Sequence, residues 1–443
     1  MEKVVVIGSN HAGISTVNTI LGQNTNQEII VIEKNTNISF LGCGMALWIG
    51  KQIDGYEGLF YTSKEDLEAK GVKFHTETTV TEVNYDKKEL IARKSDGTVF
   101  VQAYDKLVFA TGSLPIRPNI PGMDLENVQF VKLFQDASQT IERLNNDAIK
   151  NVTVVGAGYI GVELAEAFKR IGKEVNLVDL QSTCLPTYYD DELTDLMKQN
   201  LLDHGINLIF NTQINEICGQ EKVESIKTST GEIKTDMVVM AIGFRPNNEL
   251  GKNQLELFKN GSYLVSRKQE TSQKDVYAVG DCATVYDNAI GEVNYIALAT
   301  NAVRSGIVAG MNIAGVELDG IGVQGSNGIS IFGLNMVSTG LTLKKALELG
   351  FDAKSVSYSD LQKPGFIKNN NEVTIKIIYD KTTRRVLGAQ MASKEDISMG
   401  IHMFSLAIQE QMSIDKLKLL DIFFLPHFNQ PYNYMTMCML QAD

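Results

Sequence analysis

Cys43 lies between Gly42 and Gly44 in the run NISFLGCGMALWIG at residues 37–50, which leaves its sulfur accessible and its backbone unusually free. An accessible thiol of this kind can cycle between thiolate and an oxidised sulfur. A helix starting at this point is expected to lower the thiol pKa and favour the thiolate. Position 48, where a second cysteine would complete a C-x-x-x-x-C redox pair, holds Trp48. Cys43 is therefore expected to work as a single thiol, through a sulfenic acid or a mixed disulfide. His11, one of five histidines, falls on the first residues of a glycine-turn helix and is a candidate partner for Cys43 or for a bound peroxide. The remaining cysteines, Cys184, Cys218, Cys282 and Cys438, are widely spaced and form no C-x-x-C, so neither a disulfide framework nor a metal site is expected.

The elements that must position these side chains begin with an imperfect internal repeat. Residues 4–13 read VVVIGSNHAG and residues 152–161 read VTVVGAGYIG, each an apolar strand running into a glycine turn and a helical pattern. In the second copy Gly156, Gly158 and Gly161 form G-x-G-x-x-G, followed by the helix pattern VELAEAFKRIG and the strand EVNLVDL. The first glycine permits a tight turn and the second leaves room for a pyrophosphate. The third lets helix and sheet approach, and the helix N-terminus offers free N–H groups to the anion. Asp179 ends the next strand, where a carboxylate accepts ribose hydroxyls and repels a 2′-phosphate, so NADH is preferred over NADPH. In the first copy Gly8 and Gly13 are retained but Asn10 replaces the middle glycine. Asn tolerates unusual backbone angles, so the turn is expected to survive. Glu33 ends the strand EIIVIE in the equivalent ribose-binding position. Two dinucleotide folds in one chain point to electron transfer between two cofactors, one of them a bound flavin.

The strand KLVFATG, closing on Thr111 and Gly112, and the strand MVVMAIG, closing on Gly243, each return the chain to a sheet near its cofactor. A third, DVYAVGD, ends in Asp281 and is placed back in the first fold, which splits that fold around the second. The expected organisation is a first FAD-binding part at 1–115, an NAD-binding domain at 116–245 and a second FAD-binding part at 246–322. A terminal domain without a glycine fingerprint follows at 323–443. A small-residue helix around 295–313 suits close packing, and the terminal region reads as alternating strands followed by a helix, an α+β unit.

The 443 residues carry 41 Lys+Arg against 53 Asp+Glu, a formal charge of −12, which opposes adventitious binding to nucleic acid or anionic lipid. No apolar run approaches the ~20 residues needed to span a bilayer. The first residues lack the basic flank and cleavage site of a secretory signal. A cytoplasmic protein with neither nucleic-acid nor membrane partner is expected. A scaffold without chemistry would need neither an intact second nucleotide turn nor an accessible cysteine.

Taken together, GSNHAG, SFLGCGMALWIG, the ATG at 110–112, VVGAGYIGVELAEAF, AIGFRPN and VGDCA resemble the pyridine nucleotide-disulfide oxidoreductase superfamily. Within it they resemble the single-cysteine group of NADH oxidase, NADH peroxidase and coenzyme A-disulfide reductase. The likeness extends over essentially the whole chain. The cysteine segment is most similar to water-forming NADH oxidases, whereas coenzyme A-disulfide reductases usually show CGLPY where this chain has Met45, Ala46 and Leu47 after Gly44. The resemblance implies an α/β fold of two Rossmann-like domains, the first split by the second, and a C-terminal α+β dimerisation domain. It implies FAD and NADH as cofactors, Cys43 cycling between thiolate and sulfenic acid, His11 beside it, and Tyr159 covering the flavin until nicotinamide enters. Glu33 and Asp281 become FAD ribose and ribityl ligands, and Asp179 the NAD ribose ligand. The implied reaction reduces O2 to water with two NADH through a flavin hydroperoxide. NADH peroxidase, and then coenzyme A-disulfide reductase, are the alternatives. The group is homodimeric, which places LPHFNQPY around His427 near the partner's site.

Overall fold

The structure, a computed structural model, describes residues 1–24 and 26–443. Val4 to Ile7 and Ile29 to Ile32 are buried side by side in a five-stranded sheet. Its order is Val276–Ala278, Lys106–Phe109, Glu2–Ile7, Gln27–Ile32, Lys73–His75, and every pairing is parallel. Continuous apolar runs suit this arrangement because a parallel sheet is covered on both faces. Helix α1 (His11–Gly22) is the first crossover, and the short helix α2 (Met45–Ile49) follows the second strand.

The chain then leaves this sheet and builds a second one, ordered Ile206–Ile209, Glu174–Val178, Asn151–Val155, Met237–Met240, Val128–Phe130, again wholly parallel. Helix α3 (Tyr159–Arg170) is its first crossover. The two folds are joined where Ser113–Pro115 pairs antiparallel with Phe244–Pro246. Thr111 Oγ1 donates to Asn247 O at 2.7 Å across the same junction. Val276–Ala278 then rejoins the first sheet and leads to α4 (Ala299–Ile313).

Helices α1 and α4 pack backbone to backbone. A Cβ on Gly306 would lie 2.5 Å from Ala12 O, and one on Gly310 would lie 2.6 Å from Thr19 Cβ. Ser15 Oγ donates across the contact to Val303 O at 2.8 Å. Two glycines one helical turn apart remove the side chains that would otherwise hold the helices apart.

The C-terminal region forms an antiparallel sheet ordered Asn327–Ile331, Leu334–Gly340, Val386–Ser393, Glu372–Asp380, Ala353–Leu361, with helices Ile401–Gln409 and Tyr434–Leu440 packed on it. It docks on the second fold through polar pairs, the Gln390–Asp190 pair buried and the Lys376–Glu192 pair reaching the surface. Gln390 Nε2 donates to Asp190 Oδ2 at 2.8 Å, Gln390 Oε1 accepts from Asp190 N at 2.8 Å, and buried Lys376 reaches Glu192 at 2.8 Å. Two further antiparallel sheets, at Thr78–Ala103 and Ile214–Lys234, go beyond the sequence reading. The Asp96–Gly97 turn between alternating runs is a hairpin signal for the first of them. Among the described residues, no helix is long and apolar enough to cross a membrane, and no cluster of three His, Cys, Asp or Glu could hold a metal.

Candidate active site

The first glycine turn is a cradle that side chains would fill. Gly8 has φ +101°, and a Cβ there would lie 2.3 Å from Ala110 O. A Cβ on Gly13 would lie 2.1 Å from Gly8 O. Asn10 caps α1 in an extended conformation, φ −98°, so this position needs a small residue rather than a glycine. Its side chain makes no capping hydrogen bond, which leaves the leading N–H groups of α1 available to an anion. Glu33 is buried behind the turn. Its Oε2 accepts from Ser9 N and Oγ, both at 2.9 Å, and its Oε1 accepts from Asn35 N at 2.8 Å and Nδ2 at 2.7 Å. Four donors fill a carboxylate's acceptor sites, so a ribose hydroxyl at Glu33 would displace one of them, with the Asn35 side chain the freest to move.

Asp281 arrives from the last strand of the same sheet, in the tight turn Gly280–Cys282. Its Oδ2 accepts from Ser113 Oγ at 2.8 Å, and Ser113 in turn accepts from Lys132 Nζ at 2.7 Å. Lys132 lies 4.0 Å from the Asp281 carboxylate and 4.1 Å from the centre of the Phe244 ring. Burial lowers its pKa, opposed by Asp281 and Asp136. Gly112 and Gly243, φ +68° and +105°, turn the chain beside this cluster. Cys282 is fully buried with its Sγ directed at Phe109 O and Val279 O.

The second turn repeats the first more strictly. A Cβ on Gly156, φ +102°, would lie 2.4 Å from Ala241 O, and one on Gly161 would lie 1.8 Å from Gly156 O. Gly158 caps α3 and faces open space, which is room for a phosphate. Asp179 is tied to the turn, with Oδ2 accepting from Ala157 N at 2.5 Å and Oδ1 from Gln181 N at 2.7 Å. Tyr159 opens α3. Its hydroxyl lies 3.0 Å from Tyr189 Oη and donates to Asn327 Oδ1, and its ring meets Tyr188 edge-on at 4.6 Å. Burial pushes its phenol far up.

Between these two cradles lies Cys43. Its segment is fixed by Ser39 N donating to Ser9 O at 2.8 Å and Leu41 N donating to Leu59 O at 2.7 Å. Gly44 fits because a Cβ there would strike Leu59 Cδ2 at 2.3 Å. The same Leu59–Thr62 stretch carries Tyr61, whose ring stacks on His11 at 5.6 Å and whose hydroxyl is 3.3 Å from His11 Nδ1. Cys43 and His11 are thus tethered to one short stretch of chain. Burial lowers the His11 pKa against the pull of Asp281, which favours the neutral imidazole. Burial also pushes the phenol of Tyr61 up to about 12. Trp48 stacks on Phe134 at 5.5 Å within a cluster that includes Tyr56 and Phe60, so aromatic rings fill the place of a second thiol.

One expectation is overturned. The Cys43 thiol is raised, not lowered, although its side chain is exposed. Burial by the surrounding protein is the larger cause and the nearby Glu163 carboxylate the next. The thiol sits in the 3-10 turn Gly42–Gly44 ahead of a helix of only five residues, too short to supply a strong dipole. Ser113, Lys132, Tyr61 and Glu163 were not anticipated from sequence. Ser113 follows the strand-closing Gly112 and carried a positional signal. The other three come from separate segments and carried none.

Residues 2–306 match the pyridine nucleotide-disulphide oxidoreductase family and residues 328–435 its dimerisation domain. An NADH oxidase of Streptococcus pyogenes serotype M6 is 59% identical, with 100% of each chain covered. The solved water-forming NADH oxidase from Lactobacillus brevis, bound to NADH, is 36% identical with a TM-score of 0.97, covering 100% of this chain and 98% of that one. An engineered water-forming NADPH oxidase bound to NADPH, a variant of the same Lactobacillus enzyme in which one of the replaced residues is an aspartate changed to alanine, is 35% identical with a TM-score of 0.97. It covers 99% of this chain and 98% of its own.

Proposed function

The chain belongs to the pyridine nucleotide-disulphide oxidoreductase family, and on that premise we propose that it is an FAD-dependent NADH oxidase that reduces O2 to water. FAD, when bound, supplies the relay that takes electrons from NADH and passes them to oxygen. Gly8, Asn10, Gly13 and the N-terminus of α1 hold its pyrophosphate, and Glu33 and Asp281 hold its hydroxyls, with Thr111 and Gly112 closing the same edge. Gly156, Gly158, Gly161 and Asp179 hold NADH, with Gly243 at the rim and Tyr159 as a removable cover. In this reading 1–115 and 246–322 form the FAD-binding domain, 116–245 the NAD-binding domain and 323–443 the dimerisation domain of a homodimer.

The observation that carries the single-thiol redox reading is an exposed, unpaired Cys43 with Trp48 where a second thiol would stand, and the likeness to NADH oxidases, one of them water-forming, favours O2 over preformed peroxide as the acceptor. A lone thiolate takes one oxygen atom from a peroxide-level species, becoming Cys-SOH as the other oxygen leaves as water. Two electrons and a proton, which bound FAD would supply from a second NADH, would regenerate the Cys43 thiolate and release the second water. Two NADH, two protons and one O2 give two NAD+ and two water. Neutral His11, held by Tyr61, is placed to donate or accept a hydrogen bond at the oxygen being transferred.

The test is to measure NADH loss, O2 uptake and free peroxide together on wild type and Cys43→Ser. Wild type is expected to consume two NADH per O2 with little peroxide. The variant, still reduced by NADH and reoxidised by O2, is expected to move toward one NADH per O2 and to release hydrogen peroxide. A variant that keeps the two-to-one ratio without releasing peroxide removes Cys43 from the reaction. Rapid anaerobic NADH oxidation with hydrogen peroxide, beside negligible O2 uptake, identifies a peroxidase instead.

A further inference from the structure

Tyr159 is the first residue of α3, beside Gly158 and the open space kept for a phosphate, so the place of its ring decides how much of a nucleotide the second cradle admits. The side chain is half-buried and its hydroxyl is engaged twice. That hydroxyl donates to Asn327 Oδ1. A phenol has one proton to give, so in the 3.0 Å contact between the two tyrosine hydroxyls Tyr189 donates and Tyr159 accepts.

Both partners are fixed from the C-terminal domain. Asn327 opens the strand Asn327–Ile331 and pairs there with Ser338. Its Nδ2 donates to Gly325 O at 2.6 Å, which turns Oδ1 toward Tyr159, and Ser338 Oγ donates to the same Oδ1 at 3.2 Å. Tyr189 is buried, and Asp190 after it is bolted to the same domain. Asp190 N donates to Gln390 Oε1 at 2.8 Å, and its Oδ2 accepts from Gln390 Nε2 at 2.8 Å and from Leu343 N at 3.0 Å. A Tyr159 ring that swings away takes from Tyr189 Oη the acceptor it has there and leaves Asn327 Oδ1 with Ser338 alone. Stripping buried polar groups of their partners is costly, which holds the ring in place.

We propose that Asn327 and Tyr189 latch Tyr159 across the NADH site, so that the C-terminal domain sets how readily the nicotinamide ring enters. Both are positioning residues that act only through Tyr159, and the inference rests on Tyr159 being the removable cover of that site. Binding of the whole dinucleotide then includes the cost of opening the latch, and its apparent affinity is reduced by the fraction of protein that is open. A nucleotide without the nicotinamide escapes that cost.

The experiment measures binding without turnover, by isothermal titration calorimetry of NAD+ and of ADP-ribose into the oxidised, flavin-loaded protein, so it is independent of O2 and of Cys43. Tyr159→Phe keeps the ring and removes one oxygen atom. It should tighten NAD+ by about three- to tenfold and leave ADP-ribose unchanged. Asn327→Leu should act in the same direction, and the double variant should match Tyr159→Phe alone, because without the hydroxyl Asn327 has nothing to hold. Asn327→Asp, which returns an oxygen acceptor, should not tighten NAD+. Unchanged NAD+ affinity in Tyr159→Phe, equal tightening of NAD+ and ADP-ribose, or additive effects in the double variant overturns the proposal. If Asn327→Leu does not fold, Tyr159→Phe and Asn327→Asp decide. Wild type that binds neither nucleotide overturns the NADH site and the latch together. Failure of the oxidase reading shows separately, as absent O2 uptake by a wild type whose NAD+ affinity still responds to Tyr159→Phe.

Discussion

A carboxylate selects between nucleotides by what it can and cannot face, and Asp179, the proposed ribose ligand, is held by Ala157 N and Gln181 N at the second glycine turn. These donors fix its orientation at the end of the second strand, where in the proposed reading a 2′-phosphate would meet a carboxylate instead of a ribose hydroxyl. Asp179→Ala is expected to raise the NADPH-to-NADH ratio of kcat/KM by about tenfold or more, each factor of ten being ~1.4 kcal/mol. Flavin content should not change. Steady-state kinetics with both donors check it, and equal or better use of NADPH by wild type removes the assignment. At this scale the sequence was legible wherever geometry demands a residue type. Gly8, Gly156 and Gly161 face carbonyl oxygens at distances no Cβ tolerates, and such positions announce themselves. Ser113, Lys132 and Tyr61 do not, because each reaches the site from a different segment and any polar or aromatic residue could have stood there on local grounds. The direction of the Cys43 shift is not legible in sequence, because burial by residues from other segments is its larger cause, with the Glu163 carboxylate next, and the helix after it ends at five residues.

Between elements, the contact of α1 with α4 decides how well the first cradle holds its shape. The N-terminus of α1 and the turn carrying Asp281 are both packed against α4, since Gly280 N donates to Ser305 Oγ at 2.9 Å and a Cβ on Gly280 would lie 2.9 Å from Ala12 Cβ. A methyl group on Gly306 would press on Ala12 O, Ser15 Cβ and Thr16 N, none of which is a flexible side-chain end. Gly306→Ala is therefore expected to separate the helices and destabilise the protein by ~1–3 kcal/mol, the usual result of overpacking. It should also weaken flavin retention, because α1 carries the free N–H groups proposed to face the FAD phosphates. Thermal unfolding and the flavin-to-protein absorbance ratio measure both effects, and an unchanged melting temperature with full flavin content would show that the helices have slack. The small-residue character of this helix was readable in the sequence, and so was close packing. Its partner was not, since a stripe of glycine and alanine says how near a neighbour can come and not which neighbour it is.

For the whole molecule, the surface left by one chain is the deciding feature. The stretch from Leu419 to Tyr432 has almost no regular structure and exposes Leu419, Phe423, Phe424, Leu425, Phe428 and Tyr432, with Leu419 at 85% and Tyr432 at 74%. So many large apolar side chains in one short segment are more than a solitary soluble chain ordinarily presents to water. The segment lies within the region matching the family's dimerisation domain, and exposed His427 sits in its middle. A two-fold contact built on these rings would bury them and carry His427 to the partner. Sedimentation equilibrium is expected to give twice the 48.9 kDa chain mass. Phe428→Glu, which places a charge among the rings, is expected to shift the mass toward that of one chain without unfolding the nucleotide folds, because its side chain is exposed in the single chain. If the partner completes the site, that variant loses NADH oxidation as it dissociates and regains it as protein concentration rises. Wild type that sediments as one chain with full activity at assay concentration would dispose of the dimer and of any role for His427 across it.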